Sequence, residues 1–279
     1  MNIIDVTGPD VSFAWLAACR AMADGSPVAY HTVVRIEEPL AEDPAIRTEV
    51  DGILEAARLQ PVKTVANTIF PGAVAANSRD HLDLARRYTE ILPTLRRLSG
   101  ANMWGTYFGR LVSYPGPSGP VNQLDAIITR LRSETAKAKT GTGPLTAAYE
   151  AAFDAPGEGD GTAPHDGCLA TLHAQIRVPG QDSRVRAFPC LSHCSFQLDR
   201  SGTLHAMAHY RSHVMVQRAY GNYLGLGRLL GYIADQAGLL TGELTVTAGY
   251  ATLDQRKRLG GLLGARVSQQ AAATRAYSS

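Results

Sequence analysis

Residues 191–212, LSHCSFQLDRSGTLHAMAHYRS, decide the fold. Apolar and polar residues alternate through CSFQLDRSG and again through TLHAMAHYRS, the period of half-buried strands. Between them Asp199-Arg-Ser-Gly202 carries the residues that reverse an extended chain, so the pair reads as a hairpin. A third strand candidate, CLATLHAQIRV (168–178), precedes them. GNYLGLGRLLGYIADQAG (221–238) follows as a long apolar helix closed by a glycine C-cap, and GELTVTAGYATLD (242–254) is the last strand.

Upstream, residues 12–24 read as an amphipathic helix and PVAYHTVVRIEEPL (27–40) as an extended, β-branched run. IRTEVDGILEAARL (46–59) is helical and stops at Pro61. HLDLARRYTEILPTLRRL (81–98) has a period near that of a helix, and VNQLDAIITRLRSE (121–134) is another helix after the turn YPGPSGP. From Lys139 to Asp166 the composition changes to Gly, Thr, Ala, Pro and acids, a surface loop (139–166) inserted into one domain spanning 1–279. Strands and helices mix without regular βαβ alternation, which predicts an α+β fold.

With 279 residues, 45% hydrophobic and 19% charged, the chain has the make-up of a globular enzyme. A net charge of +2 with no dense basic run gives no support to a nucleic-acid polymer or a membrane surface as partner. The opening MNIIDVTGPD lacks a charged and then apolar leader, and no stretch is apolar enough to span a bilayer. Four scattered cysteines do not make a disulfide framework, so a reducing, cytoplasmic setting is expected.

Chemistry centres on Cys190 in RVRAFPCLSHCSFQL (184–198), at the mouth of a predicted strand. Arg184 and Arg186 just upstream would stabilise a thiolate, the form that attacks. A buried cysteine serving as a small hydrophobe is the other reading of the same residues. His193 and Cys194 have no second pair at zinc spacing. His205, His209 and His213 would align on a helix or share one face of a strand, where such histidines are more often hydrogen-bonded structural residues than ligands, so no metal is expected. Arg211-Ser212 and Tyr220-Gly-Asn222 form a second cluster. A guanidinium grips phosphate with a planar fork, and an Asn amide offers both a donor and an acceptor to a uracil-like edge. An edge-strand ion pair and a helix N-cap Asn would explain the same residues.

Read together, these residues resemble the thymidylate synthases. That family carries Pro-Cys-His at its nucleophile, Gln-Arg-Ser downstream, and an Asn before a long apolar helix. Here Pro189-Cys190, Tyr210-Arg211-Ser212 and Asn222 stand at matching separations. Tyr107-Phe108-Gly109 through Tyr114-Pro115, with VNQLDAIITRLR after it, is similar to the family's Tyr-Gly…Trp-Pro stretch and its following helix. The resemblance covers roughly residues 104–254 and implies a large mixed β-sheet flanked by helices, in a homodimer. It further implies that Cys190 adds to C6 of a pyrimidine nucleotide, that Arg211 and Ser212 hold the phosphate, and that Asn222 reads the base. The implied one-carbon donor is 5,10-methylenetetrahydrofolate.

The departures are specific. The family His after the nucleophile is Leu191, and the family Asp that contacts the folate falls at Val214. The cofactor-shielding Trp segment reads Arg-Leu-Val-Ser-Tyr (110–114), and the sugar-gripping His-x-Tyr pair aligns with Thr252 and Asp254. No Arg-Arg pair precedes Cys190, and residues 255–279 are too few for the family's closing segment. Without the shielding Trp and that segment, water would reach the exocyclic carbon, which favours hydroxymethylation over methylation at C5. Glu49, Glu55 and Lys63 are candidates for a general base, or solvated helix charges. The same fold acting on a non-standard substrate, and a non-catalytic nucleotide-binding protein, are the alternatives.

Overall fold

The computed structural model describes residues 3–98, 105–116, 118–139, 168–178, 182 and 189–264. It opens on a strand absent from the sequence reading, β1 (Asp5–Asp10), which lies parallel to β2 (Val28–Glu38), with α1 (Val11–Asp24) between them. The helix and second strand fall where the sequence predicts them. The Gly8-Pro9 pair disguises β1, which owes its extended form to pairing with β2. Asp10 starts α1 by accepting from the Phe13 amide at 2.9 Å, and the helix buries Trp15, Cys19 and Met22. Next come α2 (Pro44–Ala56), capped by Asp43, then α3 (Val62–Ile69), α4 (Gly72–Ala76) and α5 (His81–Leu98). After these, α6 (Tyr107–Val112), the ribbon β3 (Tyr114–Gly116) and β4 (Gly119–Val121), and α7 (Gln123–Lys139) complete the first half. The loop read at 139–166 lies outside the described residues beyond Lys139.

The second half holds β5 (Cys168–Gln175), β6 (Leu191–Asp199) and β7 (Thr203–Tyr210). Asp199 builds the hairpin turn between the last two by accepting from the amides of Ser201 (2.9 Å) and Thr203 (2.8 Å). Gly202 closes the turn with φ +85, a conformation that costs glycine little. A two-residue strand, β8 (His213–Val214), and a π-helical turn, Met215–Ala219, lead into α8 (Tyr220–Ala237), and β9 (Leu240–Thr252) follows. Gly238 ends α8 in the left-handed region at φ +69, as the sequence predicts.

Strand order is β1-β2-β9-β7-β6-β5, with β8 on β9. The β1/β2, β7/β9 and β8/β9 pairs are parallel and the others antiparallel, so the seven-stranded sheet is mixed. The fold is α+β, with helices packed on this sheet. One contiguous buried cluster runs from Ile4 to Leu262.

Helix α3 also escapes the sequence reading, although Val62, Val65, Ala66 and Ile69 make a helical stripe that the structure buries. It packs on α8 through two glycines. A methyl group at Gly221 would stand 2.6 Å from Val65 Cβ, and one at Gly225 2.7 Å from the Ala66 carbonyl oxygen. No side chain larger than hydrogen fits there unless α3 moves, and α3 forms one wall of the site.

Candidate active site

Loop and helix residues meet around the ends of β6, β7 and β8. The antiparallel ladder pairs Leu191 with Tyr210, and just beyond it the Arg211 amide donates to the Cys190 carbonyl at 2.9 Å. The backbone of Cys190 is thereby tied to the segment that carries Ser212, whatever the side chains do. Above them opens a cavity of ≈ 590 Å³ lined by Cys190, Ser212, His213, Val214, Arg218 and Asn222 from this half of the chain. Thr64, Asn67 and Thr68 of α3 face it, as do Val74, Tyr88, Ile91 and Leu95 from α4 and α5. Tyr107, at the start of α6, completes the wall beside the thiol.

Three of the four site residues expected from the sequence, Cys190, Ser212 and Asn222, therefore line one cavity. Arg211 is not among the residues that line it. Glu49, Glu55 and Lys63 are exposed and do not line it, and Arg184 and Arg186 lie outside the described residues. Val214, in the place of the family Asp, presents an apolar side chain to the cavity, and Leu191 is buried beside it at 1% exposure.

The chain delivers Asn222 through an unusual entry to α8. Trp15 donates its indole N–H to the Met215 carbonyl at 2.7 Å. Asp254 accepts from the Val216 amide at 2.7 Å and the Gln217 amide at 3.2 Å. These contacts hold the π-helical turn, a device that re-aims the side chains after it and recurs at functional sites. The sequence comparison sets Asp254 on a sugar-gripping residue; in the structure its carboxylate is engaged with backbone amides, and Thr252 pairs with Val214 in the sheet.

Asn222, 4% exposed, donates from Nδ2 to His213 Nε2 at 3.0 Å. Burial pushes the His213 imidazole down to about 3, so it is neutral at physiological pH and its Nε2 accepts. Tyr210 stacks on His213 with centroids 4.2 Å apart, Tyr107 meets Tyr210 edge-on at 6.4 Å, and Tyr223 closes the other side of His213 at 5.6 Å. The result is a rigid aromatic floor under the amide. Burial raises the Tyr107 hydroxyl far above its usual range while the Cys190 and Leu191 amides donate to it, so Tyr107 stays protonated beside the thiol residue.

The histidines at 205, 209 and 213 do not converge. His209 bonds Thr247 at 2.9 Å, His205 Nδ1 accepts from the Glu243 amide at 3.1 Å, and His213 turns to Asn222. Among the described residues no group of three or more His, Cys, Asp or Glu side chains is placed to hold a metal ion. No carboxylate lines the cavity among them either, and Arg218 is its one permanent charge. Neither Arg218 nor Tyr107 is a site candidate from sequence, because each joins the cavity only through tertiary folding.

Fold and site together define an α+β protein whose cavity sets a half-buried thiol beside a fixed, buried carboxamide. Two archaeal proteins, each carrying the name "Putative thymidylate synthase", are similar to part of it. The one from Methanococcoides burtonii is 37% identical over 68 residues and the one from Methanosarcina barkeri 34% over 68. Each match covers 24% of this chain and 31% of the relative, so the chain spans about a third of the length of these curated relatives. The relationship is distant and thymidylate-synthase-like. No family model matches the chain. No helix among the described residues is long and apolar enough to cross a membrane.

Proposed function

We propose that this protein transfers a one-carbon unit to C5 of a pyrimidine nucleotide, with Cys190 adding to C6. The observation that carries this is the convergence of Cys190, Ser212 and Asn222, from three separate elements, on one cavity. Addition of the thiolate to C6 forms an S–C bond and moves the C5=C6 electron pair toward C5 and O4, which makes C5 a carbon nucleophile. Loss of the C5 proton and expulsion of the thiolate later restore the double bond. Asn222, with one Nδ2 hydrogen spent on His213, has its second hydrogen and Oδ1 left for the base edge. Asn favours uracil, since it can both donate and accept. Ser212 and its neighbour Arg211 are the phosphate side of the reading.

The apolar shelf of Val74, Ile91 and Leu95 fits a flat ring system such as that of 5,10-methylenetetrahydrofolate, and Gln60, Asn67 and Thr68 are the polar groups at hand to hold it. When bound, that cofactor supplies the one-carbon unit. Val214 removes the acid the family uses there, and no indole lines this cavity among the described residues, which favours water as the final nucleophile and a hydroxymethyl product. The single-domain reading over 1–279 is supported by the contiguous core, and a homodimer by the sheet face carrying Val33, Met207 and Thr245, left half-buried in one chain.

The same cavity favours a second reading. With no carboxylate in its described lining and Tyr107 held protonated, removal of a C5 proton must run through water, so a substrate other than a standard nucleotide is the alternative. Incubation with UMP, dUMP, CMP or dCMP and methylenetetrahydrofolate, followed by mass spectrometry, decides between them. A C5-hydroxymethyl nucleotide is expected, and no C5 product from any of the four removes the first reading.

A further inference from the structure

We infer that Arg218 is an anion-recognition residue of the thiol cavity, and that the ligand taken there carries a phosphate or carboxylate group close to Cys190. Arg218 sits in the π-helical turn and lines the cavity together with Cys190, Ser212 and Asn222. No carboxylate among the described residues forms an ion pair with it, and none lines the cavity. Asp254, the acid that touches this turn, is committed to the amides of Val216 and Gln217.

A half-buried guanidinium with no counter-charge among the described residues is costly to keep unless a ligand or solvent meets it. The other polar groups around it are neutral: His213 is held uncharged by burial, and Asn222 and Ser212 carry no charge. An anion entering the cavity therefore finds one strong, planar donor and no repelling acid. Arg218 also lies within electrostatic reach of the Tyr107 hydroxyl, which accepts from the Cys190 amide. The charge and the thiol residue therefore share one cavity. Two bound pieces could present the anion, the phosphate of the nucleotide or a carboxylate of the one-carbon donor. Only this choice rests on the nucleotide reading above; the anion site itself does not.

The test compares alkylation of Cys190 by anionic iodoacetate and by neutral iodoacetamide in the full chain, followed by peptide mass spectrometry. Relative to a free cysteine peptide, the iodoacetate-to-iodoacetamide rate ratio at Cys190 should be about tenfold higher at low salt and fall as ionic strength rises. R218Q should return the ratio to the free-peptide value, the ratio cancelling any change in the thiol's own reactivity, and R218K should lie between. Inorganic phosphate and glutarate are then added as competitors, and the one that slows the iodoacetate reaction names the anion. A wild-type ratio no higher than that of the peptide overturns the inference without any variant. So does a ratio unmoved by R218Q and R218K, or failure of both competitors. Nucleotides that fail to protect Cys190, alongside an Arg218-dependent ratio, would sink the nucleotide reading and leave the anion site standing.

Discussion

Asn222 Nδ2 donates to Nε2 of His213 across 3.0 Å, and both residues are almost wholly buried. The neutral imidazole fixes which end of the amide points inward, because only an unprotonated nitrogen can accept from N–H. Base recognition in this account therefore depends on His213 as well as on Asn222 itself. H213L should weaken binding of UMP about tenfold by freeing the amide, while H213Q, which keeps an acceptor, should lose much less. Equilibrium binding of labelled UMP checks this, and equal losses in the two variants would show that the acceptor is irrelevant. N222D should shift preference from UMP toward CMP in the same assay.

The same imidazole makes stability depend on pH. His213 is neutral when folded down to about 3, whereas unfolded it takes up a proton near its ordinary value of 6.5. The unfolded state thus binds more protons between those values, so stability is full above about 6.5 and falls as pH drops toward 3. At pH 5 the loss is about 2 kcal/mol. Burial also lowers His193 and His209, which adds to the loss in the same direction. Thermal midpoints of wild type and H213Q across pH 4.5–7.5 should converge at the acid end, and parallel curves would contradict this.

Packing at Gly225 holds the α3 wall of the cavity. G225A puts a methyl group where the Ala66 carbonyl oxygen stands 2.7 Å away, so α3 must shift. The expected cost is about 1–3 kcal/mol, read as a lowered unfolding midpoint in urea. A displaced α3 also moves Thr64, Asn67 and Thr68, so ligand affinity should fall with stability. G260A, with nothing near the added methyl, serves as the control.

How much of this was legible beforehand follows from what each residue depends on. The β6–β7 hairpin could be read because Asp199 and Gly202 act within their own turn. The Gly238 cap of α8 is equally local. Cys190, Ser212 and Asn222 could be picked out because together they resemble a family motif at matching separations, although each alone is unspecific. By contrast, β1 exists through pairing with a strand more than twenty residues on, and α3 hides its short stripe behind Pro61. Asp254 stood in the sequence only as a position where the family's sugar contact is lost, and its hold on the turn at 216–217 emerges with the fold. Tyr107 and Arg218 approach Cys190 from separate elements, a meeting that residue spacing does not encode.

Asp254 should matter structurally and only then functionally. D254A leaves the Val216 and Gln217 amides without their acceptor, at a cost of about 1–3 kcal/mol. D254N, whose amide oxygen still accepts, should recover much of the loss in thermal unfolding. If D254A melts like wild type, the turn is held by Trp15 and the rest of the core alone.

Cysteine reactivity separates an exposed thiol from buried ones. Cys19 and Cys194 are buried, and burial raises the Cys19 thiol far above its usual range and the Cys194 thiol to about 12. Cys190 is partly exposed and opens on the cavity. Iodoacetamide at pH 7.5 should label Cys190 at least about a hundredfold faster than either, since burial suppresses both thiolate formation and access at Cys19 and Cys194. Labelling of Cys194 at a similar rate would mean that the hairpin core opens readily.

Release of tritium from C5-labelled UMP, dUMP, CMP and dCMP, compared between wild type and C190S, tests the central claim most directly. With methylenetetrahydrofolate present, the account predicts release from at least one of the four by wild type and none by C190S. Release that persists in C190S, or none from any of the four by wild type, would contradict it.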